Sequence, residues 1–213
     1  MNTDSVSDSS LTLPRRQRDR LQRRRDIFRA AEVVFAGKSY HQASIEEIAR
    51  AAEYGTGTVY LYFKDKEALY VELFEEKVGE LYAHVRRRVG EERDPLAALQ
   101  RLIEARMEFF DQNRSFFQIY MREGMDWWWL KSEKWAGARE LYSGYIEFLT
   151  GLMKKAQRRQ MLRKGDSRQY ALALSGMMMQ LTRDWLERES HRPLTESLEF
   201  VTRLFLEGAR MKQ

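Results

Sequence analysis

One stretch, Ser44 to Lys66 with the sequence SIEEIARAAEYGTGTVYLYFKDK, limits what this chain can fold into more than any other. It predicts a short helix over 45–52, a tight turn over 53–55 and a second short helix over 56–63. Ser44 is a natural N-cap, because its hydroxyl can accept an otherwise orphaned backbone N–H, and Glu47 three residues on completes a capping box. Ile45, Ile48, Ala49 and Ala52 share one face of the first helix, which gives it a core side. The second helix buries Val59 and Phe63 and turns Thr56, Thr58, Tyr60 and Tyr62 towards its exposed flanks and start. Two short helices at a steep angle with a glycine in the turn make a helix-turn-helix. Its second helix fits a major groove and reads base edges from its N-terminal end. The plainer reading is a helical corner in a core. Hydroxyls and tyrosines where a packing helix would carry aliphatics, together with basic flanks, favour the DNA-binding reading.

Residues 24–69, RRDIFRAAEVVFAGKSYHQASIEEIARAAEYGTGTVYLYFKDKEAL, carry a longer pattern. Ile27, Ala30, Ala31 and Phe35 in the preceding helix, then IEEIARAA, Gly57-Thr58-Val59-Tyr60, Tyr62-Phe63 and Lys66-Glu67-Ala68-Leu69 resemble the N-terminal domain of the TetR family of transcriptional regulators at fixed spacing. The match covers about a quarter of the chain; the rest resembles the family only in being helical and of the expected length. One departure is the turn, where the family usually has Gly-Val-Ser and this chain has Glu53-Tyr54-Gly55. Gly55 can cap without a side-chain acceptor at a cost of roughly a few tenths of a kcal/mol, but one hydroxyl that could touch DNA is lost. An exposed Tyr54 beside it would contact DNA or nothing.

Charge supports a nucleic-acid partner once it is located. Residues 15–66 hold 12 Lys/Arg and 7 Asp/Glu, a net of +5, which equals the net charge of the whole chain. The excess therefore lies on the DNA-binding head, as an electrostatic footprint on phosphate requires. Residues 1–14, rich in Ser, Thr and Asp, are expected to be disordered. Seven arginines follow between Arg15 and Arg25. Such a run is usually a solvated face; leading into a DNA-binding head, it reads instead as an arm for phosphates or a minor groove.

At 213 residues and 43% hydrophobic, the chain can bury a substantial core around a small head and a larger body. The absence of cysteine excludes disulfides, Cys-ligated zinc and a thiol nucleophile. With no run of eighteen apolar residues and no apolar segment of a signal peptide, a cytoplasmic protein is expected. His41, His84 and His191 have no ligand spacing, and HExxH, GxSxG and GxGxxG are all missing. Neither an enzyme, a metal site nor a cofactor is expected.

Helical patterning predicts a first helix over 18–36, a long fourth helix to Val89 with Leu69, Leu73 and Val78 inward, and a helix over 95–112 started by Asp94 and Pro95. Further helices are expected over 115–123, 127–162, 167–189 and 194–210, with Asp166 as a cap. The fold class is all-α: a disordered tail (1–17), a helix-turn-helix DNA-binding domain (18–66) and a larger helical effector-binding and dimerisation domain (67–213).

The body is dense in aromatic and thioether side chains, which suit an adaptable apolar pocket. Any single one is more often plain core, but three consecutive tryptophans (127–129) point in three directions on a helix and cannot all enter one core. The family resemblance implies an effector pocket here, with Phe110, Phe117, Tyr120, Met121, Trp127, Trp128, Tyr142, Tyr145 and Met178 as candidates by position. It also implies that the last two helices pair with their counterparts in a homodimer through Met177, Leu181, Trp185, Leu198, Val201 and Phe205; the plainer alternative is that they only close the monomer core. A symmetric dimer reads a palindromic site. The expected DNA contacts are Arg24, Arg25, Ser44, Gly55, Thr56, Gly57, Thr58, Tyr60, Tyr62, Lys64 and Lys66, with Lys66 at a family position that contacts phosphate. The function implied is a homodimeric repressor released from its operator by a small hydrophobic or aromatic ligand. The alternatives are a non-specific architectural DNA binder and a small-molecule protein that has kept the head as a relic.

Overall fold

The computed structural model describes residues 14–90, 92–122, 132–188 and 192–209. Every regular element among them is helical, and the chain divides into two compact units, one up to Tyr70 and one from Val71.

In the first unit α1 (Arg15–Gly37) buries Ile27, Phe28, Ala30, Ala31 and Phe35. It starts at Arg15 rather than at residue 18, so the arginine run is helical. Pro14 sets this start: its carbonyl accepts from the N–H groups of Gln17 and Arg18. α2 (Ile45–Ala51) has the expected capping box: Ser44 Oγ accepts from the Glu47 N–H, and the Glu47 carboxylate accepts from the Ser44 N–H. The Lys38 ammonium and the Ser44 N–H together hold the Glu47 carboxyl below its ordinary pKa.

The turn falls over 53–55 as expected, with Gly55 as the N-cap of the next helix. Glu53 takes the left-handed conformation within it, with φ 59°. The Tyr54 N–H donates to the Ala49 carbonyl (2.9 Å) and the Glu53 N–H to the Arg50 carbonyl (3.1 Å). This is a Schellman ending, normally built on glycine. Gly55 lies at φ −70°, ψ 146°, as the N-cap of α3 (Thr56–Tyr60), which is one turn shorter than the spacing predicts.

α4 runs from Lys66 to Val89 and ends on Gly90 at φ +51°, where a Cβ would press on the Arg87 carbonyl oxygen. α5 (Pro95–Gln112) starts as expected, with the Asp94 carboxylate accepting from the Leu96 and Ala97 N–H groups. It is the centre of the second unit: Ala98, Leu99, Leu102, Ile103, Ala105, Arg106, Met107, Phe109 and Phe110 are all buried, and α6, α7, α8 and α9 all pack on it. α6 (Arg114–Arg122) follows at once.

The helix expected over 127–162 is shorter. After a 3-10 turn (Glu133–Trp135) capped by Ser132, α7 covers Ala136–Arg158. Its start is fixed by Glu75 of α4, whose carboxylate accepts from the Ala138 N–H at 2.9 Å. A Cβ at position 137 would stand 2.5 Å from that carboxylate, so Gly137 lets the cap approach. α7 ends before the expected break at Gly165, with Gln160 left-handed at φ 57° and the Met161 N–H donating to the Ala156 carbonyl. α8 (Ser167–Glu187) is capped by Asp166 as expected. The last helix of the pattern divides into a 3-10 turn (Leu194–Ser197) and α9 (Leu198–Ala209). The Asp111 carboxylate holds that turn, accepting from the backbone N–H groups of Leu194 and Thr195 and from the Thr195 hydroxyl.

Left-handed Glu53 and Gln160 each lack the conformational ease of glycine, which avoids the Cβ clash but loses more entropy on folding. The balance predicts that Glu53→Gly and Gln160→Gly each raise stability by about 0.5–1 kcal/mol, checked by urea denaturation. A loss of stability in both would refute the strain at these helix ends.

Candidate functional site

The head presents α3 with Val59 and Phe63 buried beneath it. Gly55, Gly57 and Tyr60 are exposed, Thr56, Thr58 and Tyr62 half-buried. Nothing approaches a Cβ placed at Gly55 or Gly57, so the backbone there is open to a partner's close approach. Leu61, which sequence reasoning passed over, is 80% exposed beside Tyr60. Arg25 and Lys64 lie exposed on flanking elements.

Three side chains have internal roles as well. Lys66 donates to the carbonyls of Tyr40 (2.7 Å) and Ala43 (2.9 Å), and its ammonium lies 4.4 Å from the centre of the Tyr40 ring. It thereby ties the start of α4 to the loop between α1 and α2, leaving one of its three donors for another partner. Arg24 stands over the rings of Phe28 (4.8 Å) and Phe63 (5.3 Å), bracing α1 against the end of the helix-turn-helix. Ser44 is committed to its cap as an acceptor, while its hydroxyl proton stays available. Tyr54 is a correction: it is half-buried, and its hydroxyl donates to Asp26 of α1 at 3.0 Å. Burial and that hydrogen bond raise its pKa. It fastens the turn to α1.

The second unit holds a cavity of about 140 Å³ between α4, α5, α6, α7 and α8, partly open to solvent beside the exposed Gln180 and Arg183. Phe110, Phe117, Tyr120, Met121 and Tyr142, all expected, line it together with Phe74, Val78, Leu81, Tyr82 and Met179. Two expected residues do not line it. Met178 is buried on the neighbouring face of α8, and Tyr145 lies behind the wall, stacked on Tyr82 with ring centres 4.7 Å apart and planes 8° from parallel. Trp127 and Trp128 lie outside the described residues.

The residue that sequence reasoning missed is Arg106. It is 2% exposed and lines the cavity. Its Nη1 donates to the Tyr145 hydroxyl at 3.2 Å, and the Phe110 and Tyr145 rings flank its guanidinium at 5.8 and 5.4 Å. Its Nε is buried without an acceptor. Burial opposes its charge, but the phenol oxygens of Tyr145 and Tyr82 favour it, and the balance raises its pKa. Burial in turn pushes the Tyr82 phenol up. A sequence signal existed: Arg106 stands three residues after Ile103 and four before Phe110, inside the apolar stripe of α5.

The expected dimer residues divide. Trp185, Val201 and Phe205 are buried within the unit itself (Val201 is 0% exposed), because that stripe closes the monomer core. Met177, Leu181 and Leu198 are half-buried. The large apolar side chains that α8 and α9 expose are instead Leu172, Phe200 and Leu204.

Among the described residues, no helix is long and apolar enough to cross a membrane. Residues 27–73 match the family model for bacterial regulatory proteins of the tetR family. The chain is 25% identical over 190 residues to the fatty acid metabolism regulator protein of Bacillus subtilis (strain 168), covering 87% of this chain and 95% of that one. The solved structure of the fatty acid degradation regulator FadR from Bacillus halodurans superposes with a TM-score of 0.74 at 26% identity, over 87% of this chain and 98% of that one. FadR from Bacillus subtilis in complex with stearoyl-CoA superposes with the same TM-score and coverage at 23% identity, a likeness of fold.

The Tyr54–Asp26 tie predicts that Tyr54→Phe lowers stability by about 1 kcal/mol, measured by urea denaturation. A change within error would remove Tyr54 from the structural account.

Proposed function

The chain carries the helix-turn-helix domain of the TetR family of bacterial regulatory proteins, and on that premise we propose that it is a homodimeric repressor whose operator is released by an acyl-chain effector. The observation that carries this reading is the pairing of an exposed reading helix in one unit with a largely apolar cavity in the other. The names of the B. subtilis and B. halodurans relatives point to fatty acid metabolism, and a cavity walled by Phe, Tyr, Leu, Val and Met suits an alkyl chain.

In this mechanism Thr56, Thr58, Tyr60 and Tyr62 meet base edges or phosphates, and the backbone at Gly55 and Gly57 approaches the DNA closely. Arg25, Lys64, Ser44 and the remaining donor of Lys66 hold phosphates, while Arg24 braces the head and adds to its positive field. Leu172, Phe200 and Leu204, with the half-buried Met177, Leu181 and Leu198 around them, form the face through which two chains associate, and the dimer sets the half-site spacing. Helix α4, which bears Lys66 at its first position and Phe74, Val78, Leu81 and Tyr82 on the cavity, links the two sites. An effector that binds better to a state with the heads spread shifts the population towards it, by no more than its difference in affinity for the two states.

Selection from random duplexes should recover a palindrome, and band-shift titration on it should show release by an acyl-chain ligand. Selection without a motif would favour a non-specific architectural binder, and no binding even at low salt would favour a protein that has kept the head as a relic. Tyr60→Ala should weaken binding to the selected site by roughly tenfold, the loss of one base or phosphate contact, while leaving the thermal midpoint within a degree or two. Unchanged affinity would remove Tyr60 from the interface.

A further inference from the structure

Arg106 places a full positive charge 98% out of reach of water, in the wall of an apolar cavity. Buried guanidinium groups are ordinarily paired with carboxylates, because an unpaired ion in a low-dielectric interior is costly. Among the described residues no carboxylate pairs with Arg106, and no Asp or Glu lines the cavity. Among the described residues its acceptor is the hydroxyl of Tyr145. That leaves donors of a planar, five-donor fork unused, the Nε–H among them. Tyr145 is fixed in turn by its stacked contact with Tyr82, so the fork is held in place before any ligand arrives.

We infer that the effector is an apolar acid whose carboxylate enters the cavity and is received by Arg106, with its alkyl tail against the aromatic and methionine walls. The proposal rests on the reading of this cavity as the effector site. A carboxylate matches the fork in shape, offering two coplanar oxygens to parallel N–H groups, and it cancels the charge that the protein leaves open. A neutral alcohol or a thioester carbonyl offers one acceptor and no charge, and would leave the buried guanidinium uncompensated. A phosphate brings two charges and a larger desolvation cost, whereas Arg106 is the one buried cation of the lining and Arg183, which also lines the cavity, is exposed and already paired with Glu187.

The test is calorimetric titration of the full-length protein with dodecanoate, dodecan-1-ol and dodecanoyl-CoA below their micellar concentrations, alongside the same titrations of Arg106→Met and Arg106→Lys. Dodecanoate is expected to bind roughly tenfold or more tightly than the alcohol, as charge-assisted hydrogen bonds to a buried partner dictate. That ratio should collapse in Arg106→Met and survive in part in Arg106→Lys. A second reading needs no variant: the carboxyl resonance of bound [1-13C]dodecanoate should titrate at lower pH than that of the free acid, whereas a carboxyl buried without a cation would titrate at higher pH.

Equal binding of acid and alcohol, or an upward-shifted carboxyl titration, overturns the proposal and leaves the cavity as an effector site for neutral chains. Binding of dodecanoyl-CoA without binding of the acid overturns it in favour of a thioester. Failure of all three ligands overturns both the proposal and the effector-site reading.

Discussion

A helix that buries most of its circumference must find partners within the protein for every polar group on its buried faces, and α5 imposes that condition on the second unit. Nine of its residues between Ala98 and Phe110 are inside, and four further helices pack on it. Only a narrow polar stripe, Gln100, Arg101, Glu104 and Glu108, is left towards solvent, with Arg101 paired to Glu92 and both glutamates to Arg88. That stripe sets the rotation of the helix, which places Arg106 on the opposite, buried side. Asp94 satisfies the first N–H groups of α5 itself, while Asp111 near its C-terminus reaches across to the 3-10 turn before α9. The rotation that turns Arg106 towards the cavity is thus held by a solvated stripe and, at both ends, by carboxylates that cap helices.

The same device recurs where other helices end. Glu75 caps α7 from α4. The last carbonyls of α8 are taken up by α6, with Arg114 donating to Trp185 and Arg188 and Gln118 donating to Leu186. Arg114 also stacks on the Trp185 ring at 4.6 Å, and the Trp185 indole N–H donates to the Arg192 carbonyl. The bonds from Glu75, Arg114 and Gln118 satisfy backbone groups that helix termini leave over. Each also joins two elements, so the arrangement of helices around α5 is specified by hydrogen bonds as well as by apolar area. That matters for a cavity, because walls held only by non-directional packing would close over an empty space.

What was legible in the sequence was local. Ser44 with Glu47, Asp94 with Pro95, and Asp166 announce helix starts because the cap and its target lie within three residues of each other. The core faces of α2 and α3 followed from spacing alone. Helix ends were harder: Glu53 and Gln160 take the conformation glycine favours, so no glycine marks these ends, and α7 stops well before the break expected at Gly165. Long-range partners left no trace at all; nothing around Glu75 says that it will cap a helix some sixty residues on, nor around Tyr54 that Asp26 is its acceptor. Periodicity also has a limit that α9 exposes. A stripe at helical spacing identifies residues that share a face, but not what the face meets, and Val201 and Phe205 met their own core while Phe200 and Leu204 were left outside.

Arg106 marks the boundary between those two kinds of information. Its place inside the stripe of α5 was visible, and a charged residue in a buried stripe conflicts with its neighbours' preference for an apolar surrounding. Such conflicts between local chemistry and global fold tend to fall at functional positions, because stability alone would remove them. A methionine there would fill the same space without an unpaired ion, and would in general stabilise the empty protein. The empty state therefore carries a cost that a ligand of the right charge removes. A site whose empty state is held above its minimum gives its ligand a larger difference in affinity between states than apolar contact alone, and that difference is the quantity that sets how far a ligand can move a two-state equilibrium.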